Sequence, residues 1–432
     1  MSRIMAGTAE VDIEMPVGMD LTGYIARTSC SAGVHDALKI RCILFENGAI
    51  RFALAVCDLL GLSSKVVQDI SRIVEERTAI PAANISVACI HTHSGPASIH
   101  LQDCGDVDSR WLSRLKISIV ECIVMASQNI KPCRLSYKTG ECGININRVV
   151  DSADEALCLR DTQVSVLEIR DDTSGEVDAL LVNYACHPVV LTHDNLLYSR
   201  DYSYFLAEAL QRTYRYKANI VFSSSCCGDL DPRERGSFDI AERLGEELAE
   251  SILKIEESSI SEEGINSGLI SINTLSVSIP LNYNFDEHYL LAEIEKYSRE
   301  LKETKQSDAN SITIKVLNVH KHWAEKMLEI LKAGILTRIV EADIKLIRIG
   351  SLVIVTLPFE AFHEIGLKIK EHYGCLNTMV ICYANGDYGY MPSEQMYPRC
   401  GYEVKEAYKY YGFPGPIAEG AENIIFNRLF KE

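Results

Sequence analysis

Five short apolar runs in this chain of 432 residues each end abruptly in polar, chemically capable side chains. ISVACI runs into His91-Thr92-His93-Ser94, LLVNYAC into His187-Pro188, IVFSSSCC into Gly228-Asp229, VIVTLPF into Glu360, and MVICYA into Asn385-Gly386-Asp387-Tyr388-Gly389-Tyr390. Continuous apolar runs of this length read as strands covered on both faces. In α/β sheets, ligands collect beyond the carboxyl ends of strands, where loops and helix N-termini converge. Five such ends imply one crevice.

The segments between the runs support an α/β core. Residues 38 to 57 read as a hairpin about Asn47-Gly48, and residues 163 to 185 as a second, with a turn near Asp171 to Glu176. Amphipathic periodicity predicts helices at about 64–77, 107–128, 200–213, 238–255, 286–305, 316–333 and 418–430. ADIKLIRIG, SLVIVTL and NTMVICYA read as late strands, and KQSDANS as an exposed loop. With no internal repeat, low-complexity tract or linker, residues 1–432 form a single expected domain.

Charge narrows the function. Sixty acidic residues against 43 basic give a net charge of −17, and no Lys/Arg-rich run offsets it, so a phosphate backbone is repelled and nucleic acid is excluded as a partner. No segment has the length and apolarity of a bilayer span, and MSRIMAGTAEVDIEM lacks the apolar stretch of a signal peptide, so the expected location is cytoplasmic. The fifteen cysteines lack paired metal-type spacing beyond the adjacent Cys226 and Cys227, and read as buried reduced thiols.

His91 and His93 alternate at a strand end and so share a face. Either both approach a metal, or one ligates while the other carries protons, or each is a hydrogen-bonded structural imidazole. Three polar groups behind apolar strands, His91, His187 and Glu360, would each cost about 2–7 kcal/mol if buried without partners. A shared cation removes that problem. Two imidazoles and one carboxylate with an open position suit zinc better than magnesium or calcium.

The chain resembles the catalytic domain of the neutral/alkaline ceramidase family, through AGTAEVDIEMPVGMDLTGY, GVHDALKIRCILFENG, CDLLGLSS, NISVACIHTHSGP, GININR, NYACHPVVL, DNLLYSRDY, GDLDPR, LPFEAFHEIG, NGDYGYMPSE and GYE. These pieces span about residues 6 to 403, in the family's order. The resemblance implies mixed β-sheets flanked by helices and one zinc ion per chain, held by His91, His187, Glu360 and Tyr390. It places His93 near the metal water as a proton shuttle, and Arg148 and Tyr402 where they hold developing negative charge. The implied reaction is zinc-dependent hydrolysis of a small N-acyl substrate.

Departures from the family pattern accompany the likeness. Asp231 stands where ceramidases carry a serine in GD-x-S-P, and can meet substrate, a second cation or water, or cap the turn before Pro232. Phe359 replaces a glycine and is expected to narrow the pocket. A C-terminal immunoglobulin-like domain and an export signal are not expected here, and ceramide itself is not the expected substrate. His35 and Asp36 either line the site or stabilise a turn; Asp194, Asn195 and Asp201 either orient an imidazole or start a helix. Cys226 and Cys227 fall near the crevice, where a thiol nucleophile competes with the metal reading. A zinc esterase or lactonase, and a non-catalytic metal-binding protein, remain alternatives; the oligomeric state is open.

Overall fold

The computed structural model describes residues 4–48, 50–149, 159–255, 261–306 and 311–432. Its larger sheet has eight strands in the order Asn219–Ser224, Val177–Tyr184, Gln163–Asp171, Lys131–Glu141, Met5–Asp12, Lys39–Glu46, Arg51–Cys57 and Ile85–Cys89. The first two and the last two pair in parallel, the rest antiparallel. Both expected hairpins are present. Gly48 takes the positive φ (83°) expected of the Asn-Gly turn, and Asn47 Oδ1 accepts from Ile50 N at 2.9 Å.

A second sheet orders Ile270–Pro280, Ile339–Ile349, Leu352–Thr356 and Thr378–Ile381, only the last pair being parallel. The mixed α/β class is therefore as expected. Period-2 alternation splits the strands between cores. Ile43 and Phe45 share one core with Ile347, Ile349 and Ile354 of the second sheet, joining the sheets face to face. Cys42 and Leu44 point the other way, onto Ile119 and Ile123 of helix Ser109–Gln128.

Elements with no counterpart in the sequence reading include strands Met5–Asp12, Lys131–Glu141 and Ile270–Pro280 and helix His363–Tyr373. The helix has no side-chain cap of its own. Its first amide, His363 N, donates to Asp229 Oδ1 at 2.9 Å, and His363 Nδ1 meets Asp229 Oδ2 at 2.6 Å. The N-terminal orphan donor is satisfied from a different part of the chain, a substitute for local capping.

Helices Glu287–Gln306 and Ser311–Lys332 are inserted between the first two strands of the second sheet. Val319 on the second of them packs with Leu60, Leu101 and Tyr410, closing one side of the crevice where the strand ends meet. Among the described residues no helix is long and apolar enough to cross a membrane.

Candidate metal centre

His91 sits just past strand Ile85–Cys89, in the left-handed region at φ 70°. A non-glycine residue held there is strained, and such strain persists only where the surroundings enforce it. His91 N donates to Leu59 O at 2.9 Å, and its Nδ1 faces Leu60 O at 2.9 Å. His187 follows strand Val177–Tyr184; its backbone N donates to Leu230 O, and its Nδ1 faces Cys227 O at 2.5 Å.

A carbonyl only accepts, so both Nδ1 atoms carry a proton, and in the neutral ring each Nε2 presents a lone pair. Those lone pairs point at one carboxylate oxygen: Glu360 Oε2 lies 3.2 Å from His91 Nε2 and 3.3 Å from His187 Nε2. All three side chains are at most 2% exposed. Three buried acceptors converging without a proton or cation between them repel one another. The donor set fits a cation, and its chemistry of two nitrogens and one oxygen suits zinc.

His93 completes the group. One nitrogen from each of His91, His93 and His187 lies within 4.8 Å of the others. Among the described residues neither ring nitrogen of His93 has a hydrogen-bond partner, although both are buried. Burial, reinforced by the neighbouring His91 and His187 rings, holds its pKa well below the usual imidazole range. Gly23, at φ 99°, makes room for this ring: a Cβ there would lie 2.5 Å from His93 Nδ1.

Glu360 and Tyr390 are backbone neighbours in a short parallel pair, and Glu360 N donates to Gly389 O at 2.9 Å. The Tyr390 hydroxyl accepts from Arg148 Nη2 at 3.0 Å. Arg148 also donates to Gly228 O (2.8 Å) and Asp231 Oδ1 (3.0 Å), with Glu403 at 3.4 Å. A cavity of about 250 Å³ opens over these groups, walled by Tyr24, Leu60, Leu101, Arg235, Tyr402 and Tyr410 among others.

With that geometry in view, similarity to known proteins becomes informative. Residues 5–265, more than half of the chain, match the family described as neutral/alkaline non-lysosomal ceramidase, N-terminal. The chain belongs to that family. A Dictyostelium discoideum neutral ceramidase B is 24% identical over 243 residues, 50% of this chain and 34% of that protein. A Mycobacterium tuberculosis neutral ceramidase is 23% identical over 242 residues, 50% of this chain and 38% of that protein. The matched part thus spans just over a third of those relatives' length. A ceramidase solved in complex with C2 superposes with a TM-score of 0.74 at 16% identity, and the Pseudomonas aeruginosa neutral ceramidase with 0.71 at 16%; each match covers 100% of this chain and 74% of that one. At this identity the likeness is one of fold.

Within this ceramidase-family fold, His91, His93, Glu360, Tyr390, Arg148 and Tyr402 line one cavity, and His187 is buried behind it against Glu360. Asp231 is not on the cavity wall, and each of its oxygens is held by an arginine. It lies in strand Leu230–Pro232, not at a turn cap, and its two oxygens take Arg148 Nη1 at 3.0 Å and Arg235 Nη1 at 3.1 Å. Phe359 is fully buried against Tyr388 and is absent from the cavity wall, so it does not narrow the pocket.

His35 and Asp36 also miss the cavity: Asp36 binds His35, Ser199 Oγ and Arg200 N. Asp201 caps helix Tyr202–Thr213, and Asn195 braces Ser94 at 3.0 Å. Asp194 lies 3.4 Å from His193 Nε2, and the Nδ1 atoms of His91 and His187 face backbone carbonyls instead of any of these three side chains. Burial pushes the Cys227 thiol far up, and its sulfur meets Tyr383 at 3.3 Å, the environment of an inert thiol.

Three participants carry no signal in the sequence pattern. The Tyr411 hydroxyl donates to Glu360 Oε1 at 2.5 Å. The Tyr383 ring stacks on His91 at 4.0 Å, and Arg27 Nη2 holds His93 O at 3.0 Å. Tyr411 arrives from a segment rich in tyrosine, YKYYGF, where spacing cannot single one out.

Proposed function

We propose that this chain is a zinc-dependent amidohydrolase that cleaves a small N-acyl amine, with residues 1–432 as one catalytic unit. The observation that carries the reading is the convergence of two Nε2 lone pairs on one buried Glu360 oxygen, beside a third imidazole without partners. His91, His187, Glu360 and Tyr390 would hold the ion. Bound zinc lowers the pKa of a water toward about 7 and polarises an acyl carbonyl.

The chain's own residues then have distinct tasks. His93 is neutral because burial disfavours its cation, so it can take a proton from the attacking water and pass it to the leaving amine. Arg148, which donates to Tyr390 as well as to Gly228 and Asp231, acts through Tyr390, favouring negative charge on that hydroxyl. Tyr402, half-exposed on the cavity wall, supplies a hydroxyl to the oxygen of the reacting carbonyl. Asp231 is a positioning residue that clamps Arg148 between itself and Gly228.

The test is metal analysis of protein purified without chelator, followed by turnover on a panel of N-acyl amines and matched esters. One equivalent of zinc and chelator-sensitive amide cleavage are expected. Less than about a tenth of an equivalent overturns the metal assignment. Zinc-bound protein that cleaves esters and no amide reassigns the substrate class.

A further inference from the structure

A second cavity, of about 420 Å³, lies between helix Ser64–Thr78 and the second sheet, away from the metal centre. Lys345, on strand Ile339–Ile349, lies at its floor and is only 6% exposed. Its Nζ donates to Ile85 O, and no carboxylate among the described residues lies within ion-pair distance. An ammonium group carries three donors, so two remain for a ligand. A buried cation without a counter-charge is costly, and burial pushes this amine down to about 8.

The mouth has the opposite character. Asp343 and Glu341 precede Lys345 by two and four residues, so strand geometry places all three on one face. Both carboxylates line the cavity at exposed positions, steadied by Ser276 Oγ and Ser278 Oγ. Buried Ser71 supplies a hydroxyl on the facing wall. A cation at the floor and anions at the rim match a molecule that carries both charges in the reverse order.

We propose that this cavity binds a small amino acid, its carboxylate on Lys345 and its ammonium group at the rim formed by Asp343 and Glu341. The site is independent of the amide-hydrolase reading, since it shares no wall residue with the metal cavity. A ligand seated there also touches Asn385 and Tyr388, on the loop that leads to Tyr390.

Calorimetric titration of the full chain with glycine, β-alanine, 4-aminobutyrate, acetate and methylamine tests the assignment. At least one amino acid is expected to bind about tenfold more tightly than acetate, with methylamine silent, because both charge-assisted contacts form only with the zwitterion. Lys345→Met, a substitution of similar length, should weaken that binding at least about tenfold. Should Lys345→Met fail to fold, the exposed pair Asp343→Asn and Glu341→Gln serves: it should shrink the preference for the amino acid over acetate at least about threefold. Absence of binding by every amino acid, acetate binding as tightly as the best of them, or an unchanged preference in the rim variant would each overturn the proposal.

Discussion

Around the metal cavity each buried charged side chain faces a built set of side-chain partners, whereas around Lys345 none does among the described residues. Glu360 lies against two imidazoles, and Arg148 against Asp231 and Glu403. Lys345 has one backbone carbonyl and an exposed acidic rim. Both cavities bury polar groups at similar depth, so burial alone does not distinguish them. In the first, acceptors outnumber protons and the deficit is a cation. In the second, the surplus is a cation and the missing partner is an anion.

The comparison breaks first at the imidazoles. Removing a ligand should cost more metal affinity than the roughly 10–100-fold that outer partners of ligands contribute. His187→Ala is expected to lose the metal outright, with turnover down on the order of a thousandfold or more. Retained metal measured by atomic absorption would mean that His187 is not a ligand.

Asp231 tests the balanced set from its other side. Asp231→Asn leaves Arg148 and Arg235 facing a neutral amide and should destabilise the fold by about 3 kcal/mol in denaturant melts. Although burial raises its pKa, Arg148 and the other cations around it more than offset this and hold the carboxyl below its usual range. Its stabilisation is therefore fully present above the unfolded-state value near pH 4 and is lost as pH falls through the lower folded value. Acid melts of Asp231→Asn should lack that component.

Tyr411→Phe removes the donor to Glu360 Oε1 and leaves the imidazoles untouched. Zinc affinity, read by competition with a chromophoric chelator, should fall about 10-fold to 100-fold, with a change of about 1 kcal/mol in stability. Unchanged affinity would show that Glu360 is oriented by its backbone pairing alone.

The smallest effect is expected at the unbalanced cavity. Lys345→Met relieves an unmatched buried charge and should stabilise the protein by about 1 kcal/mol at pH 7. The lowered amine, about 8 when folded against an unperturbed 10.5, makes the unfolded chain bind more protons between those values. Wild-type stability should thus rise from about pH 8 toward 10.5, and the variant should not follow it. Parallel pH profiles would show that water already solvates this amine.

Much of the architecture was legible because its signal is local. The apolar runs before His91, His187, Glu360 and Tyr390 became strands or strand-like approaches to one cavity, and seven of the expected helices formed near their predicted positions. Helix His363–Tyr373 was not legible, since Asp229 caps it from 134 residues away. Strand Ile270–Pro280 was not read either, because each residue of its alternation had to be weighed against an outer face that stays exposed.

Residue types and their order determined that imidazoles and a carboxylate would stand at strand ends. Only the tertiary structure decided that both Nδ1 atoms face carbonyls, that Asp231 is already bound by two arginines, that Phe359 turns away, and that Lys345 has no ion-pair partner among the described residues. Local pattern dictates which face a side chain takes along its own element. Which donor or acceptor meets it there depends on chain segments more than a hundred residues apart, and no spacing along the sequence records that meeting.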